Sequence, residues 1–390
     1  MRKRVCFLVD SIFSVGGVQR VTAVISKGLA DTTDVTIVSF DKPEAMDLSL
    51  YGLNEANINF RFFSYPEVGK IERTICRAYS GLYQKMTPQS KIASLLYGYS
   101  SFPPTLRKAL IKELQDGHYD VIVGVHAPLA GRLATMKSKL RGVQTIGWVH
   151  NSFEVLYGKT FRYIGAPRKR HYVYQFRRLD NVVLLCHHDA ESYFNYDPKF
   201  KPTVIYNPLT LQPGQRSAGT SKRFLAVGRF SHGHKGFDLL IEAFGLFAQK
   251  NQDWKLDIVG EGPEEDLYRS LISKHHLEDR VAIHPFTHHI QEFYSNAQVY
   301  VLSSRWEGFG LVLVEAMAHG LPIVSSDLPT SKEIMGDFGL YFKNGDINGL
   351  ACQLEAATHI DWPAKSEEAL RIAQKFNIEN IIAQWKALID

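Results

Sequence analysis

The chain has 390 residues, 45% hydrophobic and 22% charged, with 45 Lys and Arg against 40 Asp and Glu. That length predicts about two or three folded units with cores large enough to need no disulfide staples. The composition excludes a disordered polymer and a collagen-like fibre. It also excludes an integral membrane protein, because apolar runs such as 121–125 and 182–186 fall far short of the ~20 residues of a membrane span.

The chain opens on Arg2, Lys3 and Arg4, and the apolar run behind them stops at Asp10, too soon for a secretory signal. Residues 5–10 read as a buried first strand. Cys6, Cys76, Cys186 and Cys352 are too scattered for a zinc pair and read as reduced structural thiols of a cytosolic protein. Charge is unevenly spread. Residues 1–210 hold 28 Lys and Arg against 17 Asp and Glu, a net +11, whereas 211–390 hold 17 against 23, a net −6. A basic half joined to an acidic half predicts two domains with different partners. The basic one suits an anionic lipid surface, a phosphorylated acceptor or nucleic acid.

After the first strand come a glycine-bearing loop at 11–17, an amphipathic helix over 18–29 and a strand over 34–39. Short β-rich runs at 121–125, 145–149 and 181–186 alternate with helical patterns, the signature of a parallel sheet with crossover helices. Residues 206–222 are rich in Pro, Gly and small polar side chains and read as a linker. A second alternation follows. Its strands are predicted at 223–227, 255–259, 281–284, 299–302, 322–325 and 339–342, and its clearest helices at 236–249, 263–274 and 311–319. The tail, 367–389, is helical. The predicted fold class is α/β, with domains at 1–205 and 223–370 joined by the linker 206–222. Two doubly wound units leave a cleft between them, and ligands of such sheets bind beyond the carboxyl ends of the strands.

The loop after the 299–302 strand carries the strongest signal. A glycine-bearing turn leads into a helix from about Gly310, whose free N–H groups and positive dipole end form an anion site. Glu307 lies in the turn. Glu315 lies further along the helix, amid Leu313, Val314, Ala316 and Met317, on a side chain that leans back toward the N-terminus. Carboxylates repel phosphate, so this pair reads as ligands of hydroxyls, a sugar on one side and a ribose on the other. The plainer alternative, a helix cap and a surface charge, fits poorly with the apolar neighbours of Glu315. A second strand-to-helix loop, 226–238, holds Arg229 and Lys235. A planar fork and a point charge together suit a diphosphate and the charge that grows on a departing nucleotide.

These segments resemble the glycogen-synthase-like retaining glycosyltransferases, which are the glycosyltransferase family four or group 1 enzymes of cell-envelope polysaccharide synthesis and have the GT-B fold. The resemblance is carried by four features. They are the turn from Ser303 to Gly310 with Glu307 and Glu315 seven residues apart, the loop from Gly228-Arg229 to Lys235-Gly236, the segment Val259-Gly260-Glu261-Gly262-Pro263, and the N-terminal Gly16-Gly17-Val18-Gln19-Arg20-Val21. It spans nearly the whole chain and is strongest over 224–336.

The resemblance implies an N-terminal acceptor-binding domain, a C-terminal nucleotide-sugar domain and a last helix, 371–390, packing back toward the first domain. Gly16 and Gly17 would let the backbone meet the diphosphate or the acceptor. Arg229 and Lys235 would bind the diphosphate, with Gly260 in the donor-binding set. Glu307 would hold sugar hydroxyls, and the amides of Phe309, Gly310 and Leu311 would support sugar and phosphate. Glu315 would hold the ribose. His150 matches the family's active-site histidine, and His126, ending the preceding strand, is a second candidate. The loop after Ser326-Asp327 departs from the family pattern, since Leu328-Pro329 replaces small glycines. The pairs His187-His188, His275-His276 and His288-His289 lack a completing carboxylate or thiol set, so no metal is expected. No cofactor is expected either, the nucleotide-sugar being a co-substrate.

Two basic stretches bear on the acceptor: 159–172 with Arg177-Arg178, and Lys70, Arg73, Arg77, Lys85 and Lys91 with Tyr79, Leu82 and Tyr83 nearby. Both interleave cations with aromatic or apolar residues, as at an anionic lipid surface. The expected activity is therefore transfer of a hexose or N-acetylhexosamine, from UDP by resemblance, to a lipid-linked or envelope glycan. The expected place is the inner face of the cell membrane. No nucleic-acid module is present. A catalytically silent partner protein is one alternative, disfavoured by the four charged residues. A nicotinamide oxidoreductase is the other, and neither Gly16-Gly17 nor Gly260-Glu261-Gly262 completes its glycine fingerprint.

Overall fold

A computed structural model describes residues 2–86, 90–158, 163–231 and 233–390. The chain divides into two compact units. One comprises the residues up to Asn207 together with Ile378–Asp390, and the other is Pro208–Asn377.

The first unit contains β1 (Arg4–Val9), α1 (Gly17–Ala30), β2 (Asp34–Ser39), β3 (Ile58–Phe62), α2 (Lys70–Met86), α3 (Lys91–Ser101), α4 (Pro104–Asp116) and β4 (Val121–Val125). It continues through α5 (Ala127–Met136), β5 (Gln144–Trp148), α6 (Phe153–Tyr157), α7 (Lys169–Phe176), β6 (Asn181–Leu184), α8 (His187–Tyr196) and β7 (Thr203–Val204). The strands form one parallel sheet in the order β3-β2-β1-β4-β5-β6-β7. Val5 registers with Val35 on one side and Val121 on the other. Val5 to Leu8 are wholly buried, as an unbroken apolar strand covered on both faces must be. The chain reverses its direction of travel across the sheet at β1 and β4. The loops after these two strands therefore flank this unit's switch-point crevice.

The second unit contains β8 (Arg223–Val227), α9 (Phe237–Ala248), β9 (Lys255–Val259), α10 (Glu265–Lys274), β10 (Val281–His284), α11 (Ile290–Asn296) and β11 (Val299–Leu302). It continues through α12 (Leu311–Ala318), β12 (Ile323–Ser326), α13 (Pro329–Met335), β13 (Leu340–Phe342), α14 (Ile347–Ala357) and α15 (Trp362–Ala373). Its parallel order is β10-β9-β8-β11-β12-β13, so the reversal falls between β8 and β11. The core behind β8 is aromatic: Phe224 stacks on Trp254 at 4.6 Å, and Phe244 and Phe247 of α9 close over it. α12 ends in a Schellman turn, with Gly320 N–H donating to Met317 O and Leu321 N–H to Ala316 O.

The last helix, α16 (Ile378–Ile389), belongs to the first unit. It packs on α1, where Gly28 makes room: a Cβ there would fall 2.4 Å from Ile382 Cδ1. Trp385 lies against Trp148 (4.7 Å) and Phe7 (6.4 Å). Lys3 Nζ and Gln144 Nε2 donate to the carbonyls of Ile389 and Leu388.

Some bounds differ from the sequence reading. The helical tail over 367–389 is broken by a 3-10 turn at Gln374–Phe376 and an extended-side ψ of 137° at Asn377. The run at 181–186 stops being strand at Leu184, and Cys186 becomes the N-cap of α8. Of the stretch 206–222 read as a linker, residues 208–222 belong to the second unit and the first two to the first. Gly214 N–H donates to His319 Nε2, Ser217 N–H to His319 O and Arg216 Nε to Ser366 Oγ. Pro/Gly-rich composition signals irregular backbone, and it is silent about what that backbone is tied to. Of the four cysteines, three are buried and Cys352 is exposed. No helix among the described residues is long and apolar enough to cross a membrane.

Candidate active site

In the second unit the loops after β8 and β11 are laced together at the switch point. Lys235 Nζ donates to Glu307 Oε1 at 2.6 Å, and Ser304 Oγ donates to the same oxygen at 2.6 Å. Ser303 Oγ donates to Lys235 O and Arg305 N–H to His234 O. The His234 ring stacks on Trp306 at 4.5 Å. Arg305 reaches back to Asp238 in a two-pronged pair of 2.9 and 2.6 Å. Two glycines permit this closeness. A Cβ on Gly228 would meet the Lys235 stem at 2.8 Å. One on Gly236, whose φ is +63°, would lie 2.1 Å from Ser303 O. Gly260 lies against the Gly228 carbonyl in the same way.

Lys235 and Glu307, separate ligands in the sequence reading, thus form a buried ion pair with each other. Burial pushes the Glu307 carboxyl up, but Lys235, His234 and Ser304 outweigh it and hold the group below its ordinary range. Burial also lowers the His234 imidazole. Arg229 follows Gly228 and is exposed at the end of β8. The Phe309 ring is buried against Phe376, so its side chain serves the core. Gly310 is the left-handed N-cap of α12, and Leu311 is its first residue, half-buried.

Glu315 is buried on α12, and Tyr294 of α11 donates its hydroxyl to Oε2 at 2.9 Å. Tyr294 in turn stacks on His319, whose Nδ1 lies 2.7 Å from Glu315 O. Both carboxylates act on Tyr300 beneath them, and its phenol is raised well above its ordinary range, first by burial.

In the first unit, the loop after β1 is held by Asp41, which accepts from Ile12 N–H and Ser39 Oγ. Tyr51 also fixes it, its hydroxyl accepting from Gly16 N–H and donating to Ser14 O. Gly16 caps α1 and Gly17 begins it. After β4 and β5 come His126 and His150, with rings 5.6 Å apart and His150 4.4 Å from Trp148. His126 holds a φ of +75°. Among the described residues, His126 Nδ1, His150 Nε2 and Trp148 Nε1 are buried without a hydrogen-bond partner. Burial lowers His126 to about 4 and His150 well below its ordinary range, so both rings are neutral at pH 7. Asp10, at the end of β1, is held above its ordinary range by desolvation, which Arg132 only partly offsets.

The sequence signalled the charged residues but not their holders. Ser304 lay inside the singled-out turn, three residues before Glu307. Tyr294, Tyr51 and Asp41 carry no local signal, being brought in by other elements. Lys159, Thr160, Phe161 and Arg162 of the first basic stretch, and His232 of the 226–238 loop, lie outside the described residues. Among the described residues no cluster of three or more His, Cys, Asp or Glu is placed to hold a metal.

Comparison with known proteins gives a consistent answer. Residues 15–212 match the model described as Glycosyltransferase Family 4, and residues 210–375 match Glycosyl transferases group 1. An uncharacterized glycosyltransferase of Haemophilus influenzae is 28% identical, the match covering 99% of this chain and 100% of the relative. The amylovoran biosynthesis glycosyltransferase AmsD of Erwinia amylovora is 26% identical over 99% of both chains. Among solved structures, Anabaena HepE in complex with UDP is similar with a TM-score of 0.75 over 99% of each chain, at 18% identity. The two parallel units are those of the GT-B fold, and the chain belongs to the group 1 glycosyltransferases of glycosyltransferase family four.

Proposed function

We propose that this glycosyltransferase takes a hexose or N-acetylhexosamine from a UDP-sugar, with retention of configuration and without a metal, and gives it to a hydroxyl of a lipid-linked or cell-envelope glycan. The observation that carries the reading is the Lys235–Glu307–Ser304 knot at the switch point of the second unit. UDP is favoured because HepE was solved with it, and an envelope polysaccharide because AmsD serves amylovoran biosynthesis.

In this reading Arg229 and Lys235 take the diphosphate, Glu307 exchanges its ammonium partner for sugar hydroxyls, and Glu315 takes the ribose. The amides of Phe309, Gly310 and Leu311 support phosphate and sugar, and Gly260 lets the third loop lie close. The bond from the anomeric carbon to the phosphate oxygen breaks, its electron pair leaving with UDP through an oxocarbenium-like state. The acceptor oxygen bonds on the same face, and its proton passes to a phosphate oxygen of the leaving group. Positive charge on Arg229 and Lys235 stabilises that leaving group in place of a divalent cation. From the first unit, His150 is assigned to the reacting sugar and the Gly16-Gly17 turn to the acceptor or diphosphate. The reaction is placed at the cytoplasmic face of a membrane, where a lipid-linked acceptor is presented.

Turnover of UDP-sugars by Lys235→Ala and Glu315→Ala tests this. Each should fall by about 100-fold or more. Near-parent turnover in both would end the assignment. A thermal-shift panel with UDP-, GDP- and ADP-sugars should show protection by the UDP compounds first, and protection by another base instead would replace UDP in the reading.

A further inference from the structure

The α2–α3 pair is built inside out. Its inward face is formed by Cys76, Tyr83, Ser94, Tyr97 and Gly98, with Tyr83 stacked on Tyr97 at 4.3 Å and bonded to Ser94. His171 of α7 closes that face, its Nδ1 2.9 Å from Ser94 O. The aliphatic side chains are exposed instead. On α2, Ile71 is 79% exposed, Ile75 65%, Leu82 52% and Met86 66%. At 3.6 residues per turn these four positions fall within an arc of about 60°. On α3, Ile92 is 71% exposed, and Leu96 and Tyr99 continue its exposed side. Single exposed apolar residues are ordinary, but a stripe of them on each of two helices packed together marks an interaction surface.

Charge identifies the occupant. Lys85 lies about 40° from the edge of that stripe, Lys70 and Arg77 lie about 100–120° from it across the exposed face, and Arg73 lies further round; with Lys91, which opens α3, all are exposed. The one carboxylate of α2, Glu72, is engaged by Thr105. A second copy of this surface would bring like charges together, whereas an anionic bilayer offers both acyl chains and phosphates. The other basic stretch is a poorer candidate. Arg177 pairs with Asp197, Lys169 lies over the Tyr196 ring, and His171 is buried.

We propose that α2 and α3 are the membrane-docking element of this chain, their aliphatic stripes entering the interface of an anionic bilayer while Lys70, Arg77 and Lys85 meet its phosphates. This rests on the lipid-linked acceptor proposed above and names the surface that serves it.

The test is flotation of the full chain with vesicles of phosphatidylcholine alone or with about one-third phosphatidylglycerol. The parent should bind the anionic vesicles and fall away with salt. Ile71→Ser/Ile75→Ser/Leu82→Ser should weaken that binding by about 10-fold or more. Lys70→Gln/Arg77→Gln/Lys85→Gln should weaken it by roughly 100-fold on anionic vesicles and leave neutral ones unchanged. Equal partition of the parent on both vesicles, or serine and glutamine variants that both bind like the parent, would overturn the proposal. So would a dimer in sedimentation that the serine variant dissolves. UDP protection against heat, measured on the same samples, reports on the donor assignment separately: it should persist in both variants while vesicle binding is lost.

Discussion

Glu307 illustrates how much of this chemistry depends on pairing at single residues. Its side chain is almost wholly buried beside a lysine side chain that is itself only 13% exposed. Removing one member of such a pair leaves the other charge without compensation, so Glu307→Gln should cost about 3 kcal/mol in urea unfolding of the second unit. A double variant with Lys235→Met should recover part of that loss. Full additivity of the two changes would contradict the pairing. Since the Glu307 carboxyl is depressed when folded, its contribution is present above the unfolded value of about 4.3 and is lost only as pH falls below it.

The histidines act at higher pH. His126 and His171 are held at about 4 by burial. As pH falls below about 6.5 the unfolded chain takes protons that the native rings refuse, so stability declines from there toward pH 4. Each ring could account for on the order of 3 kcal/mol across that window. Thermal unfolding of the first unit should therefore weaken between pH 6.5 and 5, before carboxylates titrate, and His171→Asn should flatten that slope. A pH-independent melt there would contradict the burial of these rings. At this scale the sequence was informative about charge and silent about partners. Glu315 stood out because a carboxylate interrupts an apolar helix, but Tyr294, which donates to it, lies 21 positions upstream on another helix.

Among the elements, the strand-to-helix loops are where sequence and structure meet most closely. The strands at 223–227, 255–259, 281–284 and 299–302 were legible to the residue because each is a short β-rich run that alternates with helical patterns. The Asn181–Leu184 strand was overrun because Leu185 and Cys186 are as apolar and as buried as the strand itself, yet lie beyond its end, where Cys186 caps α8. Glycine turns were legible in the loops that the sequence singled out, such as those at Gly236, Gly310 and Gly320. Gly236→Ala should strain a backbone at φ +63° and drive a methyl onto the Ser303 carbonyl. The expected cost is about 2 kcal/mol or more, with the Lys235–Glu307 bond loosened and UDP affinity reduced. An alanine variant with the parent's stability and UDP affinity would show that the two loops are not locked as described.

For the molecule as a whole, each unit is a doubly wound sheet with the candidate site loops at its own switch point, a pattern read from strand-helix alternation and sharpened by family resemblance. What alternation could not convey was the path of the chain outside the sheets. The polar stretch 208–222 is bound to the second unit through His319 and Ser366. α16, which only the family resemblance set against the first domain, belongs to the first unit, where Trp385 packs on Phe7 and Trp148. Trp385→Ala should therefore destabilise the first unit by about 3–5 kcal/mol while leaving unfolding of the second nearly unchanged. Equal loss in both units would contradict that division.

Titration of UDP into the parent and into Lys235→Ala, Arg229→Ala and Glu315→Ala, followed by calorimetry, reaches the donor assignment without needing an acceptor. The parent should bind, and each variant should bind about 10- to 100-fold more weakly. Unchanged affinity across the three variants would contradict a diphosphate held at Arg229 and Lys235 and a ribose held at Glu315.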